Sequence, residues 1–250
     1  MLTISIITAV YNNKDNIRNC IESVASQKYP HIEHIVVDGK STDGTVDIIR
    51  SCESSIRQWI SEKDNGIYDA LNKGISLATG DVIGFLHSDD LFENPTIVKK
   101  IADVFHHTQC DAVYGNLVYV SKTDTQSIVR YWQSNPFDVK RFRQGWMPPH
   151  PTLFMKKKVY AEFGTFNLKY HIASDYDLML RTVGSGKLVC EYLPEIITRM
   201  RVGGASNKSL KNIWRKSYED WRALKENKKG GLRTLFLKNI SKLGQFFRKG

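Results

Sequence analysis

Carboxylates in this sequence fall where short apolar runs stop. Asp38 closes His34-Ile35-Val36-Val37, Glu62 and Asp64 follow Gln58 to Ser61, and Asp89 and Asp90 follow Asp81 to Leu86 across His87 and Ser88. If these runs are parallel strands of one sheet, the acids share its carboxyl rim, where open α/β sheets bind ligands. A rim of acids repels a bare nucleoside diphosphate. It accepts one when a divalent cation bridges carboxylate and phosphate oxygens. Mn2+ or Mg2+ is therefore the expected cofactor, with Asp89 and Asp90 as its anchor; the plainer alternative has Asp89 capping the turn before Asn94-Pro95. Asp38 either accepts a hydrogen bond from a uracil imide or a ribose hydroxyl, or bonds the backbone ahead in an Asx-turn. Asp43, before Gly44-Thr45, fits the cap of a following helix.

Several chemistries are missing their signatures. No GxGxxG follows a strand and no GxxxxGK[ST] occurs, which disfavours dinucleotide dehydrogenases and P-loop enzymes. No GxSxG elbow is present. Cys20, Cys52, Cys110 and Cys190 form no CxxC pair, so they read as reduced structural thiols rather than zinc ligands.

The elements that would hold the acids follow from periodicity. Thr3 to Thr8, His34 to Asp38, Gln58 to Ser61 and Asp81 to Leu86 are strand-like. Ile17, Cys20, Ile21 and Val24 (with Asp15 as N-cap), Thr45 to Cys52, and Ile67 to Ala78 are helical. This alternation predicts an α/β fold, a Rossmann-like, mostly parallel sheet with helices on both faces. Beyond residue 110 a hairpin (Ala112 to Val120, Ser127 to Trp132), a Trp- and Pro-rich loop (Gly145 to Pro151), helices at Val159 to Phe163 and Asp175 to Val183, and an extended stretch from Leu188 to Arg199 predict an α+β portion. The expected division is 1–206, with halves 1–110 and 111–206, followed by a helical tail over 207–250.

That tail carries 13 Lys+Arg and 3 Asp+Glu, and so accounts for the whole net charge of +10 in the 250 residues. A basic tail on a neutral body argues against nucleic acid as a partner. Leu210 to Asn227 reads as a charged helix. Leu232, Phe236, Ile240, Leu243 and Phe247 mark one apolar helical face, among Lys238, Lys242, Arg248 and Lys249. Such a helix suits an anionic membrane surface, or packs on the body with a solvated basic side. No run approaches the roughly 20 apolar residues of a membrane span, and Ile4 to Val10 is too short for a signal-peptide core. The expected location is the cytoplasm, peripheral on the inner membrane.

Taken together, the motifs resemble those of the family-2 inverting glycosyltransferases with the GT-A fold, in the branch serving bacterial exopolysaccharide, capsule and O-antigen assembly. The resemblance runs from about Ile4 to Ser206. It rests on Ser5 to Asn12, Val36 to Thr45, Asp64 to Gly74, Gly80 to Asp90, His150 to Phe154 and Ala173 to Leu178. It implies that Thr8, Val10 and Tyr11 line a nucleobase pocket, that Asp38 holds the base and that Asp64 holds the nucleoside side of a nucleotide-sugar donor. Asp89 and Asp90 match the metal motif, with Asp90 the direct ligand. Asp175 matches the base that deprotonates the acceptor hydroxyl; it also suits an N-cap of its helix, and Asp177 is its rival. The sequence departs from the family at His87, which replaces an acid, and at Ala70-Leu71-Asn72, where Lys73 is the substitute diphosphate contact beside Asn72. It departs again at Arg199 to Ser206, where Arg199 or Arg201 replaces a histidine, either as a diphosphate contact or as an ion-pair residue. His150, between two prolines and near Trp146, suits a sugar-stacking loop or a rigid turn. The implied activity is metal-dependent, inverting transfer from a nucleotide sugar, a UDP-sugar by preference, to a polyprenyl-linked saccharide. The alternatives are a sugar-nucleotide nucleotidyltransferase and a non-catalytic sugar- or lipid-binding protein of the same fold.

Overall fold

The computed structural model describes residues 2–203 and 210–241. Strands β1 (Ile4–Val10), β2 (Ile32–Asp38), β3 (Gln58–Ser61) and β4 (Val82–Phe85) pair in parallel in the order β3-β2-β1-β4. Helices α1 (Ile17–Ala25), α2 (Thr45–Ser51) and α3 (Ile67–Leu77) are the crossovers. Side chains along β1 alternate between faces, as strand geometry requires. Ile4 and Ile6 pack with Cys20 and Val24 of α1, Val10 packs with Ile17 and Ile21, and Ile7 and Ala9 meet Ala70, Leu71 and Ile75 of α3. Gly74 allows that second approach, since a Cβ there would overlap Ile7. The helix expected to be capped by Asp15 begins at Ile17, after Asn16.

The sheet continues past β4 in mixed sense. The short strand β8 (Phe154–Lys156) pairs antiparallel with β4 and with the start of β6 (Ala112–Val120). The far half of β6 pairs with β7 (Ile128–Trp132), which confirms the hairpin. Along its other edge β6 runs parallel to β9 (Cys190–Arg201), and β5 (Leu91–Phe92) closes that side. Helix α4 (Ile97–Thr108) covers one face, and α5 (Lys157–Phe163) and α6 (Ser174–Arg181) follow β8.

The C-terminal helices α7 (Leu210–Glu226) and α8 (Leu232–Ser241) are built into this body. Ala223 and Leu224 of α7 are fully buried in the same core as Tyr176 and Leu180 of α6. Lys238, expected on the solvated basic side, is only 2% exposed. Its Nζ pairs with Asp220 Oδ1 at 2.8 Å and lies 3.2 Å from the centre of the Tyr176 ring. Its backbone abuts Gly145, where a Cβ would overlap it. The other side of α8 matches the expected apolar face: Leu232, Phe236 and Ile240 are exposed, as are Trp214 and Tyr218 of α7. Leu243, Phe247, Lys242, Arg248 and Lys249, and the 206/207 boundary, lie outside the described residues.

Candidate active site

The carboxyl ends of β1, β2 and β4 are stitched together by two asparagines. Asn12 N–H donates to Ser41 Oγ at 2.8 Å, and Asn12 Oδ1 accepts from Thr42 N–H at 2.9 Å. Asn13 N–H donates to Thr45 Oγ1, and its Nδ2 donates to Ser88 Oγ, both at 2.9 Å. Asp43, expected to cap α2, stands one residue before the cap position, which is Gly44, and accepts from Thr45 N–H at 3.0 Å.

On the β1–β3 side, Tyr11 is 64% exposed, and Tyr11 and Asp64 both border Gly39. A Cβ at position 39 would overlap the Asp64 carboxylate and lie 3.4 Å from the Tyr11 ring. Tyr11 and Asp64 thus both lie against Gly39. Asp38 is fully buried and takes the turn-forming option: its carboxylate accepts from Ser41 N–H at 3.0 Å, Ser41 Oγ and Ser61 Oγ.

Three residues, Thr8, Val10 and Asn72, do not reach the rim as the resemblance implied, and Arg199 takes the second of its two expected roles. Thr8 is buried beneath α1, its hydroxyl on His34 Nε2 (3.1 Å) and Cys20 Sγ (3.7 Å), and Val10 lies in the core on the same face. Both share the face of Ile4 and Ile6, the one that α1 covers. The Asn72 amide is spent on both backbone groups of Phe166, donating to its carbonyl and accepting from its N–H at 2.9 Å each. Arg199 forms an ion pair with Glu93 at 2.7 Å and bonds the Thr125 carbonyl, so it takes the ion-pair option. Lys73 is held by Glu62 (2.8 Å) and the Lys63 carbonyl (2.9 Å).

At the end of β4 the acidic pair meets β9. Asp90 is 1% exposed; its Oδ1 accepts from Arg201 N–H at 3.2 Å, and its Oδ2 has no hydrogen-bond partner among the described residues. Burial, then the neighbouring Asp89, pushes its carboxyl well above the usual range. Arg201 bonds the Asp89 carbonyl. A buried carboxylate oxygen without a partner, beside a second carboxylate, fits a divalent cation in charge and in hard-oxygen chemistry. Among the described residues no three His, Cys, Asp or Glu side chains converge, so Asp89 and Asp90 would share the ion with donor oxygens and water.

His87 links this corner to the next. Burial lowers its pKa, and the carboxylates of Asp89 and Asp175 both oppose that fall. Asp175 sits in the first turn of α6, where helix geometry favours negative charge. Its Oδ1 accepts from Tyr176 N–H at 2.8 Å and, at 3.3 Å, from the Tyr68 hydroxyl of α3. Asp177 is committed elsewhere: it is buried, pairs with Arg181 at 2.9 Å and accepts from Asn227 at 2.9 Å. A cavity of about 180 Å³ is lined by His87, His150, Asp175, Lys216, Asp220 and Lys238 among others. His150 stacks among Phe85 and Phe166, burial lowers its pKa to about 4, and neither ring nitrogen has a hydrogen-bond partner among the described residues. Trp146 packs edge-on to Tyr114 and Phe142 instead of lining the cavity.

Sequence reasoning missed the contribution of α7. Glu219 Oε2 accepts from the backbone N–H groups of His171, Ile172 and Ala173 at 3.0, 2.8 and 3.0 Å, and so fixes the loop that delivers Asp175. The available signal was that two adjacent acids, Glu219 and Asp220, stand in an otherwise basic segment, each four residues after a cation.

Known proteins agree with this architecture. The family model described as Glycosyl transferase family 2 matches residues 5–162. An uncharacterized glycosyltransferase of Mycobacterium tuberculosis is 34% identical over 191 residues, 76% of this chain and 70% of that protein. A PGL/p-HBAD biosynthesis glycosyltransferase of Mycobacterium bovis is 30% identical over 208 residues, 81% of this chain and 78% of that protein. Among solved structures, S. aureus TarS 1–349 in complex with UDP-GlcNAc superimposes with a TM-score of 0.72 at 15% identity, over 90% of this chain and 65% of that one. The mannosyltransferase PcManGT from Pyrobaculum calidifontis, in complex with GDP-Man and Mn2+, gives 0.69 at 17% identity over 98% and 71%. At these identities the likeness shows the fold, which is the GT-A arrangement of a curled α/β sheet flanked by helices.

Proposed function

Because the chain belongs to Glycosyl transferase family 2, we propose that it moves a sugar from a nucleotide-sugar donor to a lipid-linked saccharide acceptor, with inversion, in surface polysaccharide synthesis. One observation carries the reading: His87, two residues before Asp89, lines the same cavity as Asp175, so the metal-motif loop and the candidate base share one cavity. Tyr11 and Asp64 would hold the nucleoside, and Lys73 and Arg201 would face the diphosphate. Neighbours that bind UDP-GlcNAc or GDP-Man with Mn2+ support a nucleotide-sugar donor and a divalent cation. Bound at Asp89 and Asp90, Mn2+ or Mg2+ would supply charge neutralisation for the departing diphosphate. Asp175 takes the acceptor proton as the hydroxyl attacks the anomeric carbon in line, and the Tyr68 hydroxyl holds that carboxylate in place. The exposed Trp214, Tyr218, Leu232, Phe236 and Ile240, beside basic residues, suit the anionic membrane that carries a polyprenyl-linked acceptor.

The test is nucleoside diphosphate release from a panel of nucleotide sugars with Mn2+ and membrane extract as acceptor. Asp175→Asn is expected to abolish turnover while donor affinity stays near its starting value. Release of pyrophosphate would favour nucleotidyl transfer, and full activity in Asp175→Asn would remove Asp175 from the mechanism.

A further inference from the structure

The cavity beside Asp175 has a cationic wall made only by the C-terminal helices. Lys216 and Lys238 both pair with one carboxylate, Asp220, at 2.9 and 2.8 Å. Two ammonium groups share one acid, and Asp175, which lines the same cavity, also attracts Lys238. Stability alone does not call for this. An apolar residue of Lys238's size would avoid the desolvation cost that buried ion pairs carry, and burial indeed pulls the Lys238 ammonium down to about 8 against the attraction of Asp220. A second observation marks the same cavity as a ligand site: His150 lines it, buried, with both ring nitrogens lacking a hydrogen-bond partner among the described residues. The cavity's volume of about 180 Å³ is below the roughly 300 Å³ where pockets for drug-sized ligands begin, which suits one sugar ring and not an oligosaccharide.

We infer that this cavity is an acceptor subsite for a single sugar ring bearing an anionic group, with the anion against Lys216 and Lys238 and ring hydroxyls toward His150 and Asp175. The inference rests on the transferase reading above for the word acceptor, and on the cavity alone for the anion. A uronate carboxylate and a phosphate on the anomeric carbon offer the same chemistry.

Calorimetric titration of the whole protein separates them, with glucuronic acid, glucose 1-phosphate and neutral methyl glucoside as probes. One of the two anionic probes is expected to bind tenfold or more tighter than methyl glucoside, and which one does so names the anion. Lys216→Gln is expected to erase that preference, a loss of about tenfold to a hundredfold, the usual worth of a hydrogen bond to a charged group. Lys216→Arg should keep most of it. Lys216 is the residue to change because its side chain is 26% exposed and Asp220 keeps Lys238 as a partner, so the fold survives. Equal binding of all three probes, no binding of either anion, or an unchanged preference in Lys216→Gln overturns the inference. Nucleoside diphosphate release measured on the same protein keeps the two readings apart. Turnover without anion preference ends the subsite alone, and anion preference without turnover from any nucleotide sugar ends the transferase reading alone.

Discussion

Glu219→Ala tests how the site is held. The Glu219 carboxylate accepts from three consecutive backbone N–H groups, which have no other acceptor among the described residues. Ala173 is buried, Ile172 is half-buried and His171 is exposed. Removing the acceptor strands the Ala173 N–H at about 1–3 kcal/mol, the cost of an unmet buried donor, while water recovers part of the other two. The expected loss is about 2–4 kcal/mol, or roughly 5–15 °C in melting temperature for a chain of this length. The loop then drifts, and a misplacement of about 1 Å at Asp175 costs on the order of a hundredfold in rate. Glu219 is thus a positioning residue, and the diagnostic pattern is a fall in kcat with donor affinity retained. Glu219→Gln, which keeps an acceptor oxygen but meets Arg215 with an amide, should fall between wild type and alanine. Urea melts and nucleoside diphosphate release check both variants. A Glu219→Ala protein that melts and turns over like wild type would refute the reasoning.

Gly39→Ala places a Cβ on the Asp64 carboxylate, the movable end of a side chain; donor affinity should fall about tenfold with stability within about 1 kcal/mol, and unchanged nucleotide titration would remove Asp64 and Tyr11 from the donor site. Acid should loosen the protein early. Burial holds His34 at about 3 and His150 at about 4, so the unfolded chain takes up those protons first, and stability, complete above about pH 6.5, falls toward pH 4 at about 1.4 kcal/mol per pH unit per histidine. Urea midpoints at descending pH check this, and His34→Gln should remove one histidine's share of the slope. Changing Leu232, Phe236 and Ile240 together to serine should leave the melt unaltered, since all three are exposed, and weaken co-sedimentation with anionic liposomes; equal sedimentation would end the membrane assignment.

The N-terminal half was legible because its strands are continuous apolar runs and its helices strictly periodic. The rim acids could be placed from strand ends alone. Thr8 and Val10 were misplaced although the strand period already put them with Ile4 and Ile6, on the face that α1 covers. The role of Asn72, and the choice between the two roles open to Arg199, depend on partners far along the chain: Phe166 and Glu93 are 94 and 106 residues away. The three-residue β8 and two-residue β5 carry too few side chains to show a period. Lys238 read as a solvated cation because its partner Asp220 belongs to another helix, and only tertiary packing brings Tyr176 under its ammonium group.

The ion pair between Asp220 and Lys238 also sets a timetable for synthesis. Domains form from the N-terminus as the chain emerges at roughly 5–20 residues per second, so about 3–11 s separate the end of α6 at Arg181 from Lys238. During that interval the nascent chain already holds the donor-side strands and the acids that close them. It lacks the helix that buries Tyr176 and neutralises Asp220. Until Lys238 emerges, the Tyr176 ring is without the cation that lies over it and Asp220 has only Lys216 as its counter-ion.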